Sequence, residues 1–89
     1  MTPAELAADA IRAQLGAATH DVYLGPDGDY LCLTRGSPWS VKVSVSCAGL
    51  PAGRYSVQVC RDHDPLAIVF DDECDLAELV GMCETYLGE

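Results

Sequence analysis

Apolar residues recur along this chain with two periods, and the changes of period mark its elements. Leu6, Ala7, Ala10, Ile11 and Leu15 form one stripe at helical spacing. Thr2 can cap that helix and Pro3 suits its first position. Glu5, three residues after Thr2, completes a capping-box pattern, and Gly16 offers the left-handed residue that commonly stops a helix. The period then drops to two. His20 to Leu24 and Asp29 to Arg35 flank the turn-rich Gly25-Pro26-Asp27-Gly28, which predicts a hairpin. Val41, Val43 and Val45 alternate with Lys42, Ser44 and Ser46, and Tyr55, Val57 and Val59 alternate with Ser56, Gln58 and Cys60. Both read as strands with one wet face. Ala48 to Gly53 is a second turn, and Asp62-His63-Asp64-Pro65 a third.

Leu66 to Phe70 is apolar without interruption, which predicts a central or well-covered strand. Leu76, Leu79, Val80, Cys83 and Leu87 restore helical spacing, and Gly88 ends it. Asp72 with Asp75, or Asp75 with Glu78, supplies the start signal; the sequence leaves both open. The expectation is a single α+β domain over residues 1–89: a four- or five-stranded antiparallel meander sheet flanked by an N-terminal and a C-terminal helix, both on one face.

Charge changes this picture. The first 61 residues balance, with Glu5, Asp9, Asp21, Asp27 and Asp29 against Arg12, Arg35, Lys42, Arg54 and Arg61. From Asp62 to Glu89 come nine acids and no lysine or arginine, so the whole net charge of −9 lies there. Helix-dipole complementarity accounts for acids such as Asp72, Glu73 and Asp75 one at a time. Turn hydrogen bonding accounts for Asp62 and Asp64. Neither explains why no base interrupts 28 positions, since a solvated surface ordinarily mixes both signs. The expected partner-binding residues are therefore Asp62, Asp64, Asp71, Asp72, Glu73, Asp75, Glu78 and Glu84. Such a field repels DNA, RNA and anionic membranes and attracts basic protein surfaces. Same-face acids two apart on a strand lie about 6.6 Å apart. Helical residues three apart rise about 4.5 Å. Both lengths are comparable to the phosphate spacing of a nucleic acid strand, about 3.4 Å of axis rise per charge.

Chemistry is otherwise sparse. No stretch approaches the about 20 apolar residues of a membrane helix. The N-terminus has no early positive charge or unbroken apolar run of a secretory signal, so the expected compartment is the cytoplasm. Five cysteines without a C-x-x-C pair read as reduced thiols. Cys83 is expected on an apolar helix stripe, and Cys32 and Cys47 within strands. Cys60, His63 and Cys74, with Cys83, have the ligand types of a zinc site but no compact spacing, so no cofactor is expected. Asp62-His63-Asp64 reads as a polar turn, and Asp27-Gly28-Asp29 lacks the downstream glutamate of a calcium loop. With only His20 and His63 as candidate bases, no catalytic unit is expected. Trp39, after Gly36-Ser37-Pro38, is a core plug, an edge cover or, if exposed, an interface anchor. Tyr23, Tyr30 and Tyr55 read as sheet packing with hydroxyls reaching water.

In size and charge the whole chain resembles the small phage-encoded anti-CRISPR proteins, of the DNA-mimic type that acts on type I surveillance complexes. The resemblance rests on Asp62, Asp64, Asp71-Asp72-Glu73, Asp75, Glu78 and Glu84. It implies a non-enzymatic inhibitor, a monomer or weak dimer, that occupies a basic DNA-binding surface in the bacterial host cytoplasm. The balanced first 61 residues imply that any mimicry is one-sided. The helix–sheet–helix order is also similar to immunity proteins that neutralise nuclease toxins and to small secretion chaperones.

Overall fold

A computed structural model of the chain describes residues 2–16, 20–36 and 38–88. The element order is α1 (Pro3–Leu15), β1 (Asp21–Leu24), β2 (Tyr30–Arg35), β3 (Val41–Ser46), β4 (Arg54–Arg61), β5 (Ile68–Asp75) and α2 (Leu76–Leu87). The five strands form one antiparallel sheet in sequence order, β1-β2-β3-β4-β5, as short connections require. The expected α+β meander is therefore what the chain forms.

Both helices begin with the capping boxes written in the sequence. Glu5 N–H donates to Thr2 Oγ1 at 3.2 Å while Thr2 N–H donates to Glu5 Oε1 at 3.3 Å. At α2 the box is Asp75 with Glu78: Glu78 N–H donates to Asp75 Oδ1 at 2.8 Å, and Asp75 N–H to Glu78 Oε1 at 3.2 Å. Asp72 and Glu73 lie in β5 and carry no part of the helix start. Such boxes satisfy donors that no helical carbonyl can reach.

Register sorts the side chains into two layers. Leu33↔Val43↔Val59↔Phe70 and Leu31↔Val45↔Val57 lie across from one another on the face the helices cover. Ala4, Ala7, Ala8 and Ile11 of α1 and Leu79, Cys83 and Leu87 of α2 complete that core. Leu6, expected on the buried stripe, is instead half exposed, because α1 turns its alanines toward the sheet. Tyr55 is buried as well, and its hydroxyl donates to Pro3 C=O at 3.4 Å rather than to water. At Gly28 the φ is +74° and a Cβ would meet Thr2 Cγ2 at 2.5 Å, so only glycine lets the β1–β2 turn press on the start of α1.

The strand expected to be central is an edge. β5 pairs with β4 alone, and Ile68 and Val69 are about half exposed. Leu66 lies outside it, in the preceding turn. The strand also runs on to Asp75, so Asp71, Asp72 and Glu73 are strand residues despite the weak β propensity of acids. Cys47 falls just past β3, where its N–H donates to Asp29 C=O at 2.9 Å. None of the described helices is long and apolar enough to cross a membrane.

Candidate functional site

With both helices on one face, no described helix covers the other face of the sheet, although Cys60 on it is buried beside the β4–β5 turn. Cross-strand register lays it out in rows: Asp21, Thr34, Lys42, Cys60 and Ile68; then Tyr23, Cys32, Ser44, Gln58 and Asp71; then Tyr30, Ser46, Ser56 and Glu73. Arg54 opposite Asp75 closes the series. The floor is thus hydroxyls, an amide and two thiols with the Lys42 ammonium in the first row, and the Tyr23–Tyr30 edge-to-face pair (centroids 6.3 Å apart) lies along one margin. Along the other margin stand Asp71, Glu73 and Asp75. Alternation puts these three on one face of β5, each about 6.6 Å from the next.

The remaining expected acids scatter from this row. Glu78 is beside Asp75 in the capping box. Asp72 is on the opposite face of β5, and Glu84 is on α2, accepting from Gln14 Nε2 at 3.0 Å to tie the two helices together. Asp62 and Asp64 lie in the β4–β5 turn. The structure therefore gathers Asp71, Glu73, Asp75 and Glu78, puts Asp62 and Asp64 at the far end of β5, and leaves Glu84 out.

Several of these carboxylates have identifiable structural duties. Asp62 N–H bonds to Ser40 C=O at 2.9 Å, and Arg61 N–H to Ala67 C=O at 3.1 Å. Antiparallel alternation then turns the odd-numbered residues of β4 toward β5. Their partners Phe70, Asp72 and Cys74 bond inward, so the N–H groups of Asp71, Glu73 and Asp75 point off the open edge. Asp72 Oδ1 accepts the Glu73 N–H at 2.7 Å, and Glu78 Oε1 accepts that of Asp75. Carboxylates thus cover two of the outward edge donors, a natural guard against unwanted strand pairing. Asp71 and Glu73 side chains have no such duty among the described contacts.

The five basic residues do not gather on the row. Lys42 Nζ lies 5.7 Å from the Trp39 ring centroid, and the Arg61 guanidinium lies 5.2 Å from that of Tyr86 on α2. Arg12 lines an open pocket with His20, Asp21 and Val22 toward the opposite edge of the sheet. There burial, and then Arg12, hold the His20 imidazole below its ordinary pKa, with Asp21 acting against them. Only Arg54 faces the row, across from Asp75, so Asp71 and Glu73 keep polar neutral neighbours in Gln58 and Ser56. Cys74, on the covered side, registers this negative field. Its thiol is pushed up by burial first and by the Glu78 and Asp75 carboxylates next.

The β4–β5 turn is strained. Asp62 (φ 60°) and His63 (φ 55°) both adopt the left-handed region without glycine, and Asp64 N–H closes the turn on Arg61 C=O at 3.1 Å. Left-handed backbone costs an L residue roughly 1–2 kcal/mol. The His63 ring sits 5.0 Å from the half-buried Trp39 ring. Sequence reasoning singled out Trp39 but missed this pairing, because no local pattern links residues 39 and 63.

The zinc-type residues do not converge. No group of three potential metal-ligating side chains occurs among the described residues. Cys83 is in the core, where burial, with Cys74 nearby, pushes its thiol up to about 12. No protein-family model, curated protein or solved structure matches the chain.

Proposed function

We propose that this chain is a non-enzymatic binding protein whose bare sheet face docks, acidic margin first, into a lysine/arginine-rich groove that otherwise holds nucleic acid. The observation that carries the reading is the row Asp71, Glu73 and Asp75. Three carboxylates share one face of an edge strand, and only one of them faces a cation across the register. Like charges so arranged oppose folding slightly, and the opposing field of a basic partner would turn that cost into attraction. The anti-CRISPR reading, inhibition of target-DNA binding by a type I surveillance complex, is the specific form of the proposal. The acidic margin is one-sided, in keeping with the balanced charge of residues 1–61.

The test is a competition assay. A purified type I surveillance complex is incubated with labelled target DNA and increasing amounts of this protein. DNA binding should fall, and the inhibition should weaken as salt rises. The triple variant Asp71→Asn, Glu73→Gln, Asp75→Asn, chosen because Asn can still cap α2, should inhibit far less while keeping a native circular dichroism spectrum. Full inhibition by that variant would place the binding surface elsewhere. No displacement of DNA by the wild type would remove the anti-CRISPR form.

A further inference from the structure

We propose that the exposed Leu66 and Ile68, at the end of this face beside the β4–β5 turn, are the apolar anchor of this interface, and that its occupant is a cationic segment with apolar side chains interspersed among its lysines and arginines. The inference rests on the acidic-face reading above and adds what the partner must carry besides charge. Leu66 is 86% exposed, with Ile68 and Val69 at 45% and 46%. A single exposed leucine is ordinary, but three exposed large apolar residues within four positions are uncommon on a surface. Ile68 lies across from Cys60, and Cys60 across from Lys42, in one row of the bare face. Lys42 in turn covers Trp39, whose ring also meets His63. The tryptophan, the leucine turn and Ile68 are thereby brought to one end of the face that bears the acidic row.

Leu66 is exposed on ordered backbone. Its N–H donates to Asp64 Oδ1 at 2.9 Å, and Ala67 N–H donates to Asp64 C=O at 3.0 Å. Asp62 and His63, earlier in the same turn, are both left-handed. Strain of this kind at a surface turn is found where surroundings hold a group in place for use. An anchor held in position loses less conformational freedom when it binds. Asp62 and Asp64 share the turn with Leu66, and Asp71 stands in the row next to Ile68, so three carboxylates border these apolar residues against the one ammonium of Lys42 in their own row.

Charge selects the occupant. A second copy seated on this corner by two-fold symmetry would place the same rim of carboxylates against itself. An anionic lipid surface is repelled for the same reason. A cationic segment with leucine-like side chains satisfies both the rim and the centre.

The probes are two synthetic peptides of equal length and charge, one alternating lysine with leucine and the other lysine with serine, titrated by calorimetry and by Trp39 fluorescence. The wild type should bind the leucine peptide about tenfold more tightly, the order that burying one leucine-sized side chain supplies. Leu66→Ser with Ile68→Thr, both at exposed positions, should abolish that preference and leave the serine peptide's affinity unchanged. Asp71→Asn with Glu73→Gln should weaken both peptides alike. Equal affinity of the wild type for the two peptides, or a preference that survives in Leu66→Ser/Ile68→Thr, would overturn the anchor while leaving the acidic face standing. Binding of neither peptide would sink both readings. A concentration-dependent dimer in sedimentation, lost in Leu66→Ser/Ile68→Thr, would assign the corner to a second copy and overturn the proposed occupant.

Discussion

Glu73→Gln is the most telling perturbation of the acidic margin, because it predicts a gain in stability where most substitutions give a loss. Glu73 has Asp71 and Asp75 as same-face neighbours two residues to either side, and uncharged Ser56 across the register. At about 6.6 Å, two unit charges in water repel by roughly 0.6 kcal/mol before screening. A Debye length of about 8 Å at physiological salt reduces that to roughly 0.3 kcal/mol for each neighbour. Removing the central charge should therefore stabilise the fold by roughly 0.5 kcal/mol at about 0.15 M salt, and by roughly 1 kcal/mol at about 0.01 M. For a domain of this size 1 kcal/mol corresponds to about 4–8 °C in Tm. The assay is thermal unfolding of wild type and Glu73→Gln at both ionic strengths, followed by circular dichroism. The expected shift is upward by about 4–8 °C in low salt and about half that at physiological salt. A variant that melts at or below the wild-type temperature in low salt would refute the reasoning. So would a gain that salt leaves unchanged. Either result would mean that the row is already compensated, leaving no stored repulsion for a basic partner to relieve.

Other predictions address the structural duties of neighbouring groups. Asp75→Ala removes the α2 cap and should cost about 1 kcal/mol in urea unfolding, whereas Asp75→Asn should cost much less. Asp72→Ala uncovers the outward Glu73 N–H. It should raise self-association in sedimentation at high protein concentration, while Asp72→Asn, which keeps an acceptor oxygen, should not. The Cys83 thiol is raised from 9.0 to about 12 in the folded chain. The unfolded chain therefore sheds that proton first as pH rises. Stability from this group is complete below about pH 9 and falls by up to about 1.4 kcal/mol per pH unit until about pH 12. Cys83→Ala should flatten that alkaline limb in denaturant titrations, even though truncating a buried side chain lowers stability overall.

The elements themselves were largely legible. Thr2-Pro3-x-Glu5 marks the start of α1 because the first amides of any helix need acceptors, and the same logic marks α2 at Asp75 and Glu78. The alternation over Val41–Ser46 and Tyr55–Cys60 separates a covered from a bare face, since successive strand residues must point oppositely. The place of β5 was not legible. Leu66 to Phe70 is as apolar as a central strand, and only the sheet order reveals that no described strand lies beyond it. The acids at Asp71, Asp72 and Glu73 resemble helix-start residues locally, but pairing with all of β4 holds them extended. A register shift between Val59 and Cys60 then sets Ile68 across from Cys60 on the bare face, a reversal that no period-two count anticipates.

By itself, the sequence determined the order of elements, the antiparallel meander and the confinement of excess negative charge to residues 62–89, because each follows from local periodicity, caps and composition. Tertiary structure decided which acids stand together. Asp71, Glu73 and Asp75 share a row because β5 is an extended edge strand, Glu84 is turned to the helix layer, and Trp39 meets His63 across 23 intervening positions. The physical reason is that charge and hydrophobicity are properties of single residues. Their grouping on a surface depends on strand register and on which face the helices cover, and both of these are settled only when distant segments pack.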